Sequence, residues 1–223
     1  MTTIRVSAFR WVPPFAQGLV RDLRVRWALE EAGLSYEERL IGAEDQASAS
    51  YRSLQPFGQV PTYEESDGDA RLELFESGAI VMHIAERSGA LMPADPGARA
   101  RARMWMFAAL NSIEPHIQNL AAIDLFYAKE DWAKGRRPGA VEMVEKRLDE
   151  LTSWLDGRDH LEDGFAAGDL MMTSVLRILR HTDLVAERPA LDAYRLRCEA
   201  RPAFQKALAD QLAVFAANAP ADG

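Results

Sequence analysis

The amino-acid sequence predicts two units of different architecture, a mixed α/β unit of about ninety residues followed by an all-α unit. Three observations carry this. Strand and helix patterns alternate as β-α-β and then β-β-α before Pro93. An Asp67-Gly68 step sits between two apolar runs, as a hairpin turn requires. From about Asp95 onward the strand signals vanish, while apolar residues continue at three- and four-residue steps.

In chain order, Ile4 to Phe9 reads as a short strand, and Arg10-Trp11-Val12-Pro13-Pro14-Phe15 as a loop. Val20, Leu23 and Trp27 then recur at helical spacing, and Gly33 falls where a left-handed cap would end that helix. Tyr36 to Ile41 supplies a second strand parallel to the first. The stretch from Ala43 to Ser53 is small and polar, without a sustained apolar period, and reads as loop or short irregular helix. Val60 to Tyr63 and Leu72 to Phe75 form a hairpin about Glu65-Ser66-Asp67-Gly68-Asp69. Ser77 opens a helix whose stripe is Ile80, Val81, Ile84 and Ala85, ending near Gly89 and Pro93.

The Pro93-Ala94-Asp95-Pro96-Gly97 stretch reads as a linker, dividing the chain into 1–92, 93–97 and 98–223. Met104, Phe107, Ala108, Ile113 and Ile117 suit one long helix, which Pro115 must bend or locally adjust. Pro138 suits the first turn of a further helix. Along it Val141, Val144, Leu148, Leu151 and Leu155 step by three and four, the clearest pattern in the chain. Leu170 to Leu179 and Phe204 to Phe215 add two more helices.

The 223 residues carry 26 Lys and Arg against 34 Asp and Glu, a formal charge of -8, which disfavours nucleic acid and anionic lipid as partners. Cys198 is the only cysteine, so an intramolecular disulfide and a Cys-rich metal site are excluded. His83, His116, His160 and His181 show no metal-ligand spacing, and no metal is expected. The N-terminal residues hold no secretory apolar run, and nothing approaches a membrane-spanning length, so a cytoplasmic protein is expected.

Two motifs carry chemistry. Gln55-Pro56-Phe57-Gly58-Gln59-Val60-Pro61, followed after the hairpin by Phe75-Glu76-Ser77-Gly78-Ala79-Ile80, closely resembles the glutathione-binding signature of the cytosolic glutathione S-transferases. The resemblance extends to Arg24-Val25-Arg26-Trp27-Ala28-Leu29-Glu30-Glu31-Ala32-Gly33, to Phe165-Ala166-Ala167-Gly168-Asp169 and to Arg201-Pro202-Ala203-Phe204. It implies a thioredoxin-like βαβ-ββα domain with a C-terminal helical bundle, working as a homodimer. The implied activity is conjugation of glutathione to small hydrophobic electrophiles. The physics of the motifs agrees. Glutathione is an extended peptide that a strand edge can hold by β-addition, and Val60 suits that task where the Val60–Pro61 bond is cis, as the resemblance implies. Ser77 at a helix start can meet a carboxylate, Glu76 can accept from an ammonium, and the resemblance gives Gln59 the peptide backbone or glycyl carboxylate. Taken singly, the serine is an ordinary N-cap and Pro-Phe-Gly an ordinary turn; their conjunction is what points to a ligand.

The sequence departs from the family where the sulfur is activated. Most members aim a Tyr or Ser hydroxyl, or a Cys, near the end of the first strand. Between Ala8 and Leu34 there is no Ser, Thr, Tyr or Cys, and Ser7 lies within the strand. The resemblance to Alpha-class members implies instead that Arg21 supports the thiolate, with backbone N–H groups near Gly18 or a water as substitutes. Without the resemblance, the run Arg21-Asp22, Arg24, Arg26 reads as a solvated helix face. Trp11, Phe15, Trp105, Ala108, Asn111 and Ser112 are the candidate electrophile pocket, although aromatics at helical spacing also suit a core. Ala166 stands where the family carries a Ser or Thr helix cap, leaving Asp163 as a substitute. The alternatives are a glutathione-binding protein without turnover, or a glutathione-dependent peroxidase or thiol-disulfide enzyme.

Overall fold

The computed structural model of the protein describes residues 2–220. The chain forms two compact units. One holds the chain up to Leu91 together with the segment from Arg201 onward, and the other is Met92–Ala200.

The first unit is built on a four-stranded sheet of β1 (Thr3–Phe9), β2 (Glu37–Ile41), β3 (Thr62–Asp67) and β4 (Ala70–Phe75), in the order β2-β1-β3-β4. β1 pairs in parallel with β2 and antiparallel with β3, and β3 pairs antiparallel with β4. The hairpin closes at the Asp67–Ala70 pair through Gly68, whose φ of 59° is one that glycine adopts freely. β1 is central, and Ile4, Val6, Ser7 and Ala8 are all buried along it. Side chains alternate between the faces of a strand. Ser7 and Phe9 therefore share one face, where Ile41, Tyr51 and Val60 form a small apolar cluster with Phe9.

Helix α1 (Asp22–Ala32) and helix α4 (Ser77–Ser88) pack on each other. α1 ends where Gly33 takes φ 63°, with the Gly33 and Leu34 amides donating back to Glu30 and Leu29. Between β2 and β3 the small polar stretch forms two short helices, α2 (Ala43–Ala47) and α3 (Ala49–Leu54). The last helix of the chain, α10 (Pro202–Ala217), also belongs to this unit, whereas sequence pattern alone grouped it with the helical half. Its docking surface explains the difference. Phe204 meets Trp27 edge-on at 4.8 Å, Arg201 grips Glu31 through two bonds of 2.6 and 2.7 Å, and Lys206 reaches Glu30 at 2.9 Å.

The second unit is helical: α5 (Pro96–Phe107), α6 (Glu114–Leu125), α7 (Asp131–Trp154), α8 (Ala167–Leu176) and α9 (Pro189–Glu199). Between α5 and α6 the turns of Ala108–Ile113 widen into a π-helix. Pro115 has no N–H to donate and its ring crowds the preceding turn, so the chain adjusts just ahead of it, as expected. Pro138 does not open α7 but lies inside it, the helix having started at Asp131. The loss is confined to one backbone bond, while Val144, Leu148 and Leu151 still bury one continuous stripe. α8 approaches α5 so closely that a Cβ on Gly168 would lie 2.6 Å from that of Trp105. Alanine at 166 offers no cap oxygen, so the Asp169 amide donates to the Ala166 carbonyl at 3.0 Å, while Asp169 fixes the turn ahead of the helix. Its carboxylate accepts from the amides of Ala166 at 3.0 Å and Leu161 at 2.9 Å and from the Tyr194 hydroxyl at 3.0 Å.

Helix α4 is fastened to the sheet by a polar cluster on Glu65. Tyr63 Oη donates to it at 2.7 Å, His83 Nε2 lies at 3.2 Å, and Arg87 forms an ion pair with it. Burial raises the Glu65 carboxyl, but the bonds from Tyr63 and His83 and the charge of Arg87 outweigh it and hold the group below its ordinary 4.5. A carboxyl with a lowered folded pKa stabilises the fold above its unfolded value and loses that contribution as pH falls through the folded one. Glu65→Gln is therefore expected to lower stability at pH 7 by about 1 to 3 kcal/mol. The gap to wild type should close as acid protonates Glu65. Urea unfolding at neutral and acid pH checks this, and a pH-independent gap contradicts it.

Candidate functional site

The segment from Gln55 to Pro61 is stapled by the short helices before it. The Gln55 side chain accepts from the Phe57 amide at 2.8 Å, Gln46 donates to the Gly58 carbonyl at 2.7 Å, and Arg52 donates to the carbonyls of Gln46 at 3.0 Å and Pro56 at 2.8 Å. Gly58 takes φ 65°, a conformation that favours glycine, and a Cβ there would lie 2.7 Å from the Arg52 guanidinium carbon, which would have to shift. The Val60–Pro61 bond is cis. Val60 and Pro61 are buried, and Gln59 is exposed.

The second motif lies at the same end of the sheet. Thr62 pairs with Phe75, so the next residues outward, Pro61 and Glu76, sit side by side where β3 begins and β4 ends. Gln59, Val60, Pro61, Glu76 and Ser77 are thereby brought to one sheet end. Glu76 has φ 69° and ψ 114°, the one non-glycine residue with positive φ among those described. Such a conformation costs of order 1 to 3 kcal/mol, and strain of this kind gathers at functional sites. It turns the chain into α4, where the Glu76 carbonyl accepts the first helical bond, from Ile80, at 3.0 Å. The N-terminal amides of the 12-residue α4 and the buried Ser77 hydroxyl then stand beside the exposed Glu76 side chain.

Residue-by-residue reading missed what lies beneath Ser77. Arg24, only 4% exposed, donates from Nη1 to Ser77 Oγ at 3.3 Å. A guanidinium can only donate, so the Ser77 oxygen is an acceptor in this pair and its own hydrogen is left to donate elsewhere. The charged run of α1 is likewise not a solvated face, because Asp22, Arg24 and Arg26 are all buried. Arg26 bonds Asp22 at 2.7 Å and forms an ion pair with Glu38. The 22–26 spacing of opposite charges, one helical turn apart, was the available signal. Burial pushes the Asp22 carboxyl above its ordinary 3.8, against the pull of Arg26 and Gln211. Burial alone would lower Arg26, but the Asp22 charge raises it. Arginine does not give up its proton in proteins, and both Asp22 oxygens act as acceptors, one from Arg26 and the other from Gln211.

The loop from β1 to α1 is held by the last helix. Gln211 Oε1 accepts from the Gly18 amide at 3.1 Å, and its Nε2 donates to Asp22 at 2.8 Å and to the Val20 carbonyl at 3.3 Å. The Gly18 N–H is thus already engaged. Ser7 is also engaged, at 2.6 Å from the Thr62 amide and 2.8 Å from the Tyr51 hydroxyl, so its role is structural. Arg21 is half-buried and immediately precedes α1. Of the other candidate residues, Trp11 is half-buried and Phe15 exposed, both in the loop after β1. In the helical unit, the Trp105 indole donates to Glu162 at 2.9 Å and its ring packs 5.2 Å from that of Trp154, which ties it into that unit's packing. Ala108, Asn111 and Ser112 lie on the π-helical turns, the latter two exposed. Cys198 is buried in α9. Among the described residues no group of three or more His, Cys, Asp or Glu could hold a metal ion, and no helix is long and apolar enough to cross a membrane.

Known proteins are similar to this chain. The family model described as "Glutathione S-transferase, N-terminal domain" matches residues 17–86. Glutathione S-transferase 3 of Zea mays is 31% identical over 207 residues, covering 84% of this chain and 88% of its own. The disulfide-bond oxidoreductase YfcG of Escherichia coli is 27% identical, covering 81% and 86%. A crystal structure of a Burkholderia graminis glutathione transferase, with two glutathione molecules bound per subunit, superposes with a TM-score of 0.81 at 26% identity over 99% of this chain and 90% of that one. With a thioredoxin-like sheet unit, a helical unit and both halves of the motif at one sheet end, the chain belongs to the cytosolic glutathione S-transferase family.

Proposed function

We propose that the protein is a glutathione transferase that conjugates glutathione to small hydrophobic electrophiles. The observation that carries it is the convergence of Gln59, Val60, Pro61, Glu76 and Ser77 at one end of the sheet. In this assignment the backbone of Val60 pairs with the extended tripeptide, and Ser77 with the first amides of α4 receives a carboxylate. Glu76 accepts from the ammonium, and Gln59 meets the backbone or the glycyl end. Glutathione serves as co-substrate. The electrophile side is assigned, within the first unit, to Trp11 and Phe15 in the loop after β1. A cytoplasmic homodimer completes the proposal, supported by the exposed aromatic pair Phe57 and Phe75, whose rings lie 6.1 Å apart.

Sulfur activation is assigned to Arg21. A free thiol titrates near 8.5, and lowering that by about two units takes roughly 2.7 kcal/mol of preferential stabilisation of the thiolate. A guanidinium at the head of α1, together with the helix N-terminus, is the cationic group that supports this.

A second reading is favoured by the engaged Ser7 and Gly18 and by the similarity to a disulfide-bond oxidoreductase: glutathione-dependent thiol-disulfide exchange. With Cys198 buried in α9, the exchange would run between glutathione sulfurs rather than through a protein mixed disulfide.

Retention of the chain on immobilised glutathione, with elution by free glutathione, is the expected outcome, and passage without retention contradicts both readings. Spectroscopic titration of bound glutathione then separates turnover from mere binding. A thiol pKa near or below 7 is expected, and one that stays near 8.5 indicates a binder without transferase chemistry. Arg21→Ala should raise the bound thiol pKa while leaving glutathione affinity nearly unchanged. An unaltered pKa in that variant removes Arg21 from the mechanism.

A further inference from the structure

Three buried hydroxyl and amide groups form a directed chain around Val60. Tyr51 Oη lies 2.7 Å from the Gln59 carbonyl, which can only accept, so the single phenolic proton is committed there. Ser7 Oγ lies 2.8 Å from Tyr51 Oη, and since the tyrosine proton is already spent, Ser7 must be the donor of that bond. The Thr62 amide in turn donates to Ser7 Oγ at 2.6 Å. The sequence of donors is therefore Thr62 N–H, Ser7 O–H, Tyr51 O–H, ending on the carbonyl of Gln59. Every proton has one destination.

This chain starts just after the cis Val60–Pro61 bond and ends just before it. Its two anchors are the backbone of residues 59 and 62, so the peptide groups between them have lost the freedom to rotate independently. Both side chains are fixed for other reasons. Ser7 is fully buried on the central strand, and Tyr51 is 1% exposed and packs with Ile41 and Val60. Burial pushes the Tyr51 phenol up, with the Ser7 bond working against it, so the proton stays on throughout the neutral range. The anchor is thus rigid at one end, on the sheet, and directed along its whole length.

We propose that Ser7 and Tyr51 are positioning residues for glutathione: they set the backbone of Val60 in the orientation that pairs with the tripeptide, before ligand arrives. The inference rests on the proposed glutathione site. It also gives a use to the one hydroxyl near the end of β1, which aligns the binding edge instead of assisting the sulfur. Preorganisation of this kind shows in affinity rather than in the chemical step, because it removes an ordering cost from binding. Loss of one such bond corresponds to a weakening of a few-fold to about tenfold.

Tyr51→Phe removes only the hydroxyl, and Ser7→Ala only the link behind it. Each should raise the Kd and KM for reduced glutathione about five- to tenfold with kcat nearly unchanged. The double variant should be no weaker than the worse single one, since both break the same chain. Tyr63→Phe is the control, because it deletes another buried hydroxyl bond in the same unit, to Glu65, away from Val60. It should cost stability with wild-type glutathione affinity. Unchanged affinity in Tyr51→Phe, or a loss matched by Tyr63→Phe at equal loss of stability, overturns the inference. Amide hydrogen exchange in the ligand-free protein gives a reading independent of function: Ser7→Ala removes the acceptor of the Thr62 amide and should speed exchange there, and unchanged exchange at Thr62 overturns the inference on its own. If the wild-type chain does not bind glutathione at all, the functional proposal falls, and the exchange result alone decides whether the chain orders the loop.

Discussion

A carboxylate with no access to water, that of Asp22, is the constraint around which the first unit is arranged. An ion taken out of water is tolerated only where its oxygens are fully bonded and its charge is matched. Arg26 supplies the charge one turn along α1, and Gln211 supplies the second bond from the last helix of the chain. That requirement draws α10 onto α1, and the same glutamine, having reached Asp22, clamps Gly18 and Val20 in the loop leading into α1. The apolar contact of Trp27 with Phe204 and the ion pairs of Glu30 and Glu31 enlarge the junction. A segment 193 residues downstream thus becomes part of the scaffold for the loop between β1 and α1.

The end of the sheet that carries the two motifs is ordered by a different means. A hairpin of matched strand lengths brings the residues before β3 and after β4 together, which sets two separated motifs side by side. On one side the backbone is held by hydroxyls and stapling side chains. On the other it is held in a strained turn at Glu76, with Arg24 fixing the acceptor role of the Ser77 oxygen. Polar groups that can bond in only one sense recur throughout: a guanidinium that only donates, carbonyls that only accept, hydroxyls left with one choice. Direction in those bonds is what turns a folded edge into a presented one.

Much of this was legible in the sequence. The parallel pair of β1 and β2, the Asp-Gly hairpin, the Gly33 cap and the disturbance ahead of Pro115 follow from local chemistry, and the two glutathione motifs are short enough to be read directly. What escaped depends on partners distant in sequence. Nothing in the pattern of Phe204, Leu208, Leu212 and Phe215 says which unit the helix will join, since an amphipathic stripe names a face and not its neighbour. The charged run of α1 looked solvated because buried charges are rare, and only the Asp22–Arg26 spacing hinted otherwise. Pro138 suggested a helix start because proline is common there, yet a long stripe of apolar contacts outweighed one missing bond. Ser7 looked structural and is, although its partners, Tyr51 and Thr62, could come only from the fold.

The central claim is that one sheet end, Gln59 to Pro61 with Glu76 and Ser77, holds glutathione. Backbone amide chemical shifts, recorded while reduced glutathione is added to the full chain, test it most directly. Saturable perturbations concentrated at the amides of Gln59, Val60, Glu76, Ser77 and Gly78 are predicted. Shifts confined to other parts of the chain, or none at millimolar glutathione, would contradict it.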